Sequence, residues 1–123
     1  KNVPPQNIER MFQGNPYINH FVVYGDGKKY LSGLITLNEE SVRKQLEDTT
    51  TPWSDLVTSE KLNTLISHEV EAVNKNLASF ETIKKFWICP TQLTVEENLL
   101  TSSLKIRRKA IYERYKENLE ALH

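Results

Sequence analysis

Two apolar segments separated by a short glycine-rich turn constrain the fold of this chain more than any other feature. The segment HFVVYGDGKKYLSGLITLN, residues 20–38, carries strand-like residues on both sides of Gly25 and Gly27. In its second half Leu31, Ile35 and Leu37 share one face, which is the two-residue period of a β-strand. A turn this short makes the two strands antiparallel neighbours. The sequence therefore predicts a β-hairpin as the first part of a sheet.

Helical patterns lie on either side of this hairpin. Ile8 and Phe12 follow a proline pair at the spacing of a short first helix, since proline suits a first helical turn. Asn38 is typical of a residue that caps the start of a second helix, and Ser59 of one that caps the longest helix. The longest helix has an apolar stripe at core spacing, made of Leu62, Leu65, Ile66, Val70, Val73 and Leu77.

The C-terminal third adds one strand, a polar segment and a last helix. IKKFWICP predicts a third strand that ends at Pro90, and the last helix is expected from about Lys105 to Leu122. The order is α-β-β-α-α-β-loop-α. It predicts one small α+β domain over residues 1–123, with a roughly three-stranded, mainly antiparallel sheet flanked by helices.

Composition excludes several classes of function. Lys plus Arg number 16 and Asp plus Glu number 16, so the net charge of +0 argues against nucleic-acid binding by bulk charge. The single cysteine, Cys89, excludes an intramolecular disulfide and a cysteine-based metal site. His20, His68 and His123 match no metal-binding spacing, and His68 is expected on the surface. No apolar run reaches transmembrane length.

Two stretches could bind an anion. GDGKK, residues 25–29, lacks the glycine spacing, the hydroxyl and the following helix of a phosphate loop, so a hairpin turn is favoured. LTSSLKIRRKAIYERY, residues 100–115, places four cations at the start of the last helix, where they oppose the helix dipole. That cost is a hint of an anion-binding role, but the four cations could also be a merely solvated patch. The residues alone leave both interpretations open. The cations are Lys105, Arg107, Arg108 and Lys109.

Three stretches together resemble one known family. They are KNVPPQNIERMF, YGDGKKYLSGLITLN, and the C-terminal run LASFETIKKFWICPTQLTVEENLLTSSLKIRRKAIYERYKENLEAL. Over nearly its whole length the chain resembles the small C-terminal domain of adenylate-forming (AMP-binding) enzymes, in the branch of long-chain fatty-acid–CoA ligases. The resemblance implies a larger enzyme whose N-terminal domain is absent from these 123 residues.

The resemblance also implies an activity. Family members use ATP and Mg²⁺ to convert a fatty acid into an acyl-adenylate, and CoA then takes the acyl group and releases AMP. The small domain swings about a hinge between the two half-reactions and inserts one lysine during the first. By position in LLTSSLKIRRK that lysine is Lys105, whereas Arg107 and Arg108 are expected to anchor the loop or to meet the partner domain.

The family likeness carries further expectations for the N-terminus and the loop. Lys1, Asn2 and Val3 match the segment after the hinge that lines the CoA path. Family members often carry proline where this chain has Ser102 and glycine where it has Asn98, and asparagine tolerates a left-handed turn. The loss of the proline leaves the loop more flexible, and we expect it to be poorly ordered without the partner domain.

The remaining expectations concern partners and alternatives. The partner is the N-terminal adenylation domain of the same chain. ATP, Mg²⁺ and CoA belong to the full-length enzyme, the isolated domain is expected to be inactive, and nucleic acid is not expected. The resemblance implies a cytoplasmic location and leaves peripheral membrane association of the parent open.

One alternative is a relative that passes the acyl group to a carrier protein. Another is a binding module that uses the basic patch for nucleic acid or acidic partners.

Overall fold

The computed structural model of the chain describes residues 3–123. Six α-helices, three strands and one short 3-10 helix are present among these residues. In chain order they are α1 (Pro5–Arg10), β1 (Ile18–Tyr24), β2 (Leu31–Leu37), α2 (Glu39–Leu46), α3 (Trp53–Leu56), α4 (Glu60–Asn74), the 3-10 helix (Ser79–Glu81), β3 (Ile83–Ile88), α5 (Arg108–Arg114) and α6 (Lys116–Glu120).

The three strands form one mixed sheet in the order β1-β2-β3. β1 and β2 are antiparallel, as the short turn predicts, whereas β2 and β3 are parallel. A parallel neighbour requires a crossover, and α2, α3 and α4 lie in the connection from β2 to β3. The predicted α+β class with three strands is confirmed, and one of the two strand pairs is parallel.

Helices or loops cover both faces of the sheet. Ile35 and Leu37 of β2 face the larger core, which includes side chains from α1 through α4. Leu34 faces a second core formed with the segment after β3 and with α5 and α6. The second core contains Val22, Leu34, Cys89, Leu93, Leu99, Leu100, Ile111 and Leu119. The sheet is therefore the middle layer of the domain.

Burial of the second face includes two polar side chains of β2. Ser32 and Thr36 are both fully buried. The Ser32 hydroxyl contacts the Tyr24 carbonyl oxygen at 3.2 Å and His123 Nε2 at 2.8 Å. The Thr36 hydroxyl lies 3.3 Å from His20 Nδ1. Each buried hydroxyl therefore has a hydrogen-bond partner, as burial requires.

The helix starts predicted from capping residues are confirmed. The Asn38 side chain accepts a hydrogen bond from the Ser41 N–H at 3.0 Å, and α2 begins directly after it. The Ser59 hydroxyl accepts one from the Leu62 N–H at 3.3 Å, at the start of α4. The four-residue α3 lies in the connection between α2 and α4.

The prediction that the last helix begins at about Lys105 is wrong. The helix starts at Arg108 and is divided at Tyr115, whose φ of −114° and ψ of 27° lie outside the helical range, into α5 and α6. The preceding residues pair with each other, and the Lys105 N–H donates to the Thr101 hydroxyl instead of to a helical carbonyl. None of the helices within residues 3–123 is long and apolar enough to span a bilayer.

Gly33 of β2 permits an aromatic contact that holds the segment after α1 against the sheet. The rings of Phe12 and Phe21 stack with centroids 4.1 Å apart and planes 2° from parallel. A Cβ atom on Gly33 would lie 2.4 Å from Cζ of the Phe21 ring. No side chain larger than hydrogen fits at residue 33 while Phe21 keeps this position.

We predict that Gly33→Ala destabilises the protein by about 1–3 kcal/mol, the usual cost of overpacking a core. The measurement is the free energy of unfolding in urea. Phe21→Leu provides the control, because a shorter side chain leaves space for the added methyl group. In the Phe21→Leu background Gly33→Ala should cost clearly less. Equal costs in both backgrounds would contradict the assigned clash.

Asp48 organises the connection between α2 and α4. Its buried carboxylate accepts hydrogen bonds from the backbone N–H groups of Thr50 and Thr51, and from the Thr51 hydroxyl at 2.7 Å. Lys61 Nζ of α4 lies 2.7 Å from the same carboxylate. The hydrogen bonds from Lys61 and Thr51 lower the pKa of the Asp48 carboxyl well below its usual value of about 3.8.

This lowered pKa predicts a loss of stability in acid. A carboxyl group whose pKa is lower in the folded state stabilises the fold above its unfolded pKa, and that contribution disappears as the pH falls toward the folded value. Asp48→Asn should therefore lower the melting temperature at pH 7, and the difference from wild type should narrow below about pH 3.8. Glu96→Gln, which removes an exposed carboxylate, is the control. A difference between Asp48→Asn and wild type that is independent of pH would contradict this assignment.

Candidate functional site

Residues 100–106 form a closed loop at the end of the polar segment. Leu100 and Ile106 pair as an isolated antiparallel bridge, so the loop begins and ends at adjacent points. Inside it the Thr101 N–H donates to the Lys105 carbonyl oxygen at 2.7 Å, and the Leu104 N–H donates to the Thr101 carbonyl oxygen at 2.8 Å. The Thr101 hydroxyl accepts from the Lys105 N–H at 3.1 Å. We call residues 100–106 the Lys105 loop.

Backbone hydrogen bonds therefore hold the main chain of the Lys105 loop. The sequence predicted a flexible loop because the proline typical of the family is replaced by Ser102. In the structure each end of the loop is closed by a bridge or a hydrogen bond, and the Thr101 side chain also contacts the Ser103 hydroxyl at 3.1 Å. The structure therefore gives the loop a defined backbone shape, and its flexibility in the absence of a partner domain stays a prediction.

Two residues near Lys105 have left-handed backbone conformations. Asn98 has φ of +66°, which agrees with the prediction that asparagine replaces glycine at a left-handed turn. Leu104 has φ of +67°, a conformation that costs a branched, non-glycine residue about 1–2 kcal/mol. Three-residue hairpin loops commonly end with one left-handed residue, and Leu104 occupies that place. This conformation sets the direction in which the backbone enters Lys105.

The four cations of the basic patch differ in their contacts. Lys105 and Lys109 are exposed, and neither forms an ion pair with any of residues 3–123. Arg107 donates from Nη1 to the Asn98 carbonyl oxygen at 2.6 Å, and its N–H donates to the Leu99 carbonyl oxygen. Arg107 thus anchors the Lys105 loop, which is one of the two roles expected for it.

Arg108, the first residue of α5, makes a two-pronged ion pair with Glu9 of α1. The distances are 2.6 Å from Nη1 to Oε2 and 2.8 Å from Nη2 to Oε1. The hydrogen bonds with Glu9 raise the pKa of the Arg108 guanidinium. The paired carboxylate also compensates the cost of a cation at the start of a helix.

Glu9 and Tyr112 also hold the free edge of β1 at Val23. Glu9 Oε2 accepts the Val23 N–H at 2.8 Å, and the Tyr112 hydroxyl donates to the Val23 carbonyl oxygen. Burial raises the pKa of the Tyr112 hydroxyl further above neutral pH. Arg108, Glu9 and Tyr112 therefore tie α1, α5 and the edge of the sheet together.

Two grooves open on either side of Arg108. The groove beside the Lys105 loop has a volume of about 610 Å³, and Lys105, Leu104 and Glu9 line it. The second groove, of about 690 Å³, is lined by Val3 and by the turn between β1 and β2. Arg108 lines both. The structure therefore places Lys105 and Val3 in separate grooves, and Lys1 and Asn2 lie outside the described residues.

The other candidates from the sequence have structural roles or none. GDGKK forms the turn between β1 and β2, where the Lys28 N–H donates to the Gly25 carbonyl oxygen at 2.8 Å, so the predicted hairpin turn is confirmed. His68 is exposed on α4, as predicted. Within residues 3–123 no group of three His, Cys, Asp or Glu side chains is placed to hold a metal ion.

Sequence reasoning missed Glu9, Tyr112 and Leu104. Glu9 lies 99 residues from Arg108 in sequence and Tyr112 lies 89 from Val23, so no local spacing signals either contact. The left-handed conformation of Leu104 is also invisible in the residue type, since leucine rarely adopts it. The signal that the sequence offered was the unfavourable cluster of cations at the start of α5, and it was interpreted as an anion-binding role or a solvated patch, not as ion pairing within the domain.

The chain belongs to the AMP-binding enzyme C-terminal domain family, and the match to this family covers residues 1–123. Long-chain-fatty-acid–CoA ligase FadD15 of Mycobacterium tuberculosis is 33% identical over 100% of this chain, which covers 21% of that relative. Long-chain-fatty-acid–CoA ligase 6 of Homo sapiens is 28% identical over 98% of this chain and 18% of its own length. The chain thus spans about a fifth of these curated relatives.

Solved structures give the same fold. The adenylation domain of a carboxylate reductase from Mycobacterium chelonae superposes with a TM-score of 0.79 at 28% identity, over 98% of this chain and 18% of that one. The A-PCP didomain of carboxylic acid reductase from Segniliparus rugosus, in complex with AMP, has a TM-score of 0.77 at 23% identity. It covers 98% of this chain and 16% of its own, and it supports the fold alone.

The left-handed conformation of Leu104 gives a stability prediction. Leu104→Gly should raise the free energy of unfolding by up to about 1 kcal/mol, because glycine adopts this conformation without strain. Leu104→Ile, an isomer, should lower it by about 1 kcal/mol, because a β-branched residue is more strained there. The side chain is 66% exposed, so little burial changes in either variant. Urea unfolding measures both, and the reverse order of stabilities would contradict the assigned backbone conformation.

Proposed function

We propose that this chain is the mobile C-terminal domain of a long-chain fatty-acid–CoA ligase and that it delivers Lys105 to the reacting groups during acyl-adenylate formation. The observation that carries the proposal is the contrast between Lys105 and its neighbours. Arg107 and Arg108 have partners within the domain, whereas Lys105 is exposed and has no ion-pair partner among residues 3–123. Its loop backbone is closed, so the cation has a fixed point of attachment.

The chemistry of adenylation suits such a cation. A carboxylate oxygen of the fatty acid bonds to the α-phosphorus of ATP, and the bond to the bridging oxygen breaks as pyrophosphate leaves. Both reactants are anions, so repulsion and developing charge contribute to the barrier. An ammonium group on a flexible stem acts as a point charge that can be brought to the phosphate and then withdrawn.

The second half-reaction requires the withdrawal of Lys105. The CoA thiolate attacks the acyl carbon, the thioester bond forms, and AMP leaves with the bonding electrons. We propose that Lys1, Asn2 and Val3 then border the CoA path, since Val3 lines a groove separate from that of Lys105. We assign the ATP pocket, the Mg²⁺ ligands and the acyl tunnel to an N-terminal domain of the same enzyme. The substrates of that full-length enzyme are a fatty acid, ATP and CoA.

A related acceptor chemistry has some support from the structural neighbours. The adenylation domain with a TM-score of 0.79 comes from a carboxylate reductase, whereas the curated relatives are CoA ligases. A relative that transfers the acyl group to a carrier protein would use the same lysine in the first step. The two acceptors are distinguished by measuring thioester formation by the full-length enzyme once with CoA and once with a carrier protein.

A nucleic-acid or acidic-partner module is a weaker interpretation. Such binding needs several cations free to neutralise phosphates. Of the four cations in the basic patch, Arg107 and Arg108 are engaged inside the domain, which leaves Lys105 and Lys109. The formal net charge of +0 adds no attraction.

The proposal predicts that Lys105→Ala in the full-length enzyme lowers fatty-acid-dependent pyrophosphate release by about 10²–10³-fold, the usual loss on removing a group that stabilises transition-state charge. Capture of supplied acyl-adenylate by CoA should remain near wild type, because the domain has then rotated away. Stopped-flow pyrophosphate detection and thioester formation measure the two half-reactions separately.

The matched control for this prediction is Lys109→Ala, which removes another exposed cation four residues away. It should leave both half-reactions near wild type. If Lys105→Ala and Lys109→Ala both had equal, small effects on pyrophosphate release, Lys105 would be only part of a solvated patch. The isolated 123-residue chain should release no pyrophosphate from ATP. If it did, the assignment of this chain as a domain that needs an N-terminal domain for activity would be wrong.

A further inference from the structure

We propose that Arg108 and Glu9 are positioning residues for Lys105, and this inference rests on the proposed function. Their ion pair fixes the base of the Lys105 loop to α1 and to the edge of β1. Lys105 and the segment that enters α1 then move as one rigid body. Neither residue needs to touch the reacting groups for this role.

The position of Arg108 in the chain makes it suitable. It lies three residues after Lys105, directly where the loop ends and α5 begins. Arg107, between them, is bonded back to Leu99 and Asn98 on the other side of the loop. Any shift of Arg108 relative to the sheet is therefore transmitted to both sides of the Lys105 loop.

Glu9 provides the fixed point. Its helix α1 buries Ile8 in the larger core, and Phe12, two residues after the helix ends, stacks on Phe21 of β1. The Glu9 carboxylate also holds the Val23 N–H at 2.8 Å. One carboxylate thus bonds to the sheet edge and to both terminal nitrogens of Arg108. A guanidinium held by two parallel hydrogen bonds has a defined direction as well as a defined distance.

The burial of the pair favours a positioning role over a surface contact. The side chains of Arg108 and Glu9 are 24% and 12% exposed, so water screens their attraction less than it screens an exposed pair. By contrast, the Arg114–Glu97 pair has a distance of 3.4 Å and side chains that are 46% and 47% exposed. We therefore expect the loss of the Arg108–Glu9 pair to shift the position of the Lys105 loop.

The pair also connects the regions assigned to the two half-reactions. Arg108 lines both the groove beside Lys105 and the groove beside Val3, and Glu9 sits on the helix that begins two residues after Val3. A domain that presents different faces in turn needs these regions to keep their relative position as it rotates. The ion pair supplies that connection across 99 residues of sequence.

The test uses Arg108→Met, Glu9→Gln and Arg108→Lys in the full-length enzyme, with Lys109→Met as the matched control in the same helical turn. Arg108→Met and Glu9→Gln should lower kcat for pyrophosphate release by about ten- to hundred-fold, as expected when a reacting group is misplaced by about 1 Å. The KM for ATP should stay near wild type. Arg108→Lys should restore part of kcat, because it keeps the charge without the two-pronged geometry.

A second readout is independent of activity. Amide hydrogen exchange of the peptide covering residues 100–106, and of Val23, should become faster in Arg108→Met and Glu9→Gln but not in Lys109→Met. Exchange in α4 should stay unchanged. Equal acceleration throughout the domain would mean that the pair only stabilises the fold, and would overturn the proposal.

The outcomes separate this inference from the proposed function. If Lys105→Ala abolishes adenylation while Arg108→Met retains wild-type kcat and loop exchange, the positioning role is refuted and the proposed function stands. If the wild-type enzyme forms no acyl-adenylate, the proposed function fails. In that case unchanged exchange in residues 100–106 of Arg108→Met would refute the structural part of this inference as well, and faster local exchange would support it.

Discussion

The carboxylate of Glu9 joins three elements that are far apart in the sequence. It accepts the Val23 N–H at the free edge of β1 and binds the Arg108 guanidinium at the start of α5, while sitting on α1. An exposed sheet edge presents unpaired N–H and C=O groups that another strand could bind. Here Glu9 and the Tyr112 hydroxyl occupy those groups at Val23. The edge is therefore closed by side chains at Val23, and the Lys105 loop shares a groove with β1.

Local signals account for the parts of the fold that the sequence predicted. The β-hairpin, the caps at Asn38 and Ser59, and the left-handed turn at Asn98 each depend on neighbours within a few residues. The start of the last helix was mispredicted because residues 100–106 pair across their own loop, which competes with helix formation. The parallel pairing of β3 depends on a crossover, and hydrophobic periodicity does not encode strand direction.

The candidate site divides in the same way. Lys105 was reached through the likeness of a motif, and its role remains a proposal, whereas its exposure and its lack of an ion-pair partner among the described residues come from the structure. Ser32 lies on the face of β2 opposite Ile35 and Leu37, and it is buried with His123 as a hydrogen-bond partner. The covering layer comes from the C-terminal end of the chain, so only the tertiary structure reveals that both faces of the sheet are buried.

A lysine that must meet an anion in a partner domain has two conflicting requirements. It must stay unpaired, because an internal ion pair would have to break before delivery, and it must be attached to backbone that does not drift. The domain separates these requirements between neighbouring residues. Arg107 donates to the Asn98 carbonyl oxygen and Arg108 pairs with Glu9, so both side chains are engaged inside the domain and hold the loop. Since these two cations are already engaged, Lys105 is the exposed cation that the loop leaves without an ion-pair partner among residues 3–123, which is what the proposed delivery requires.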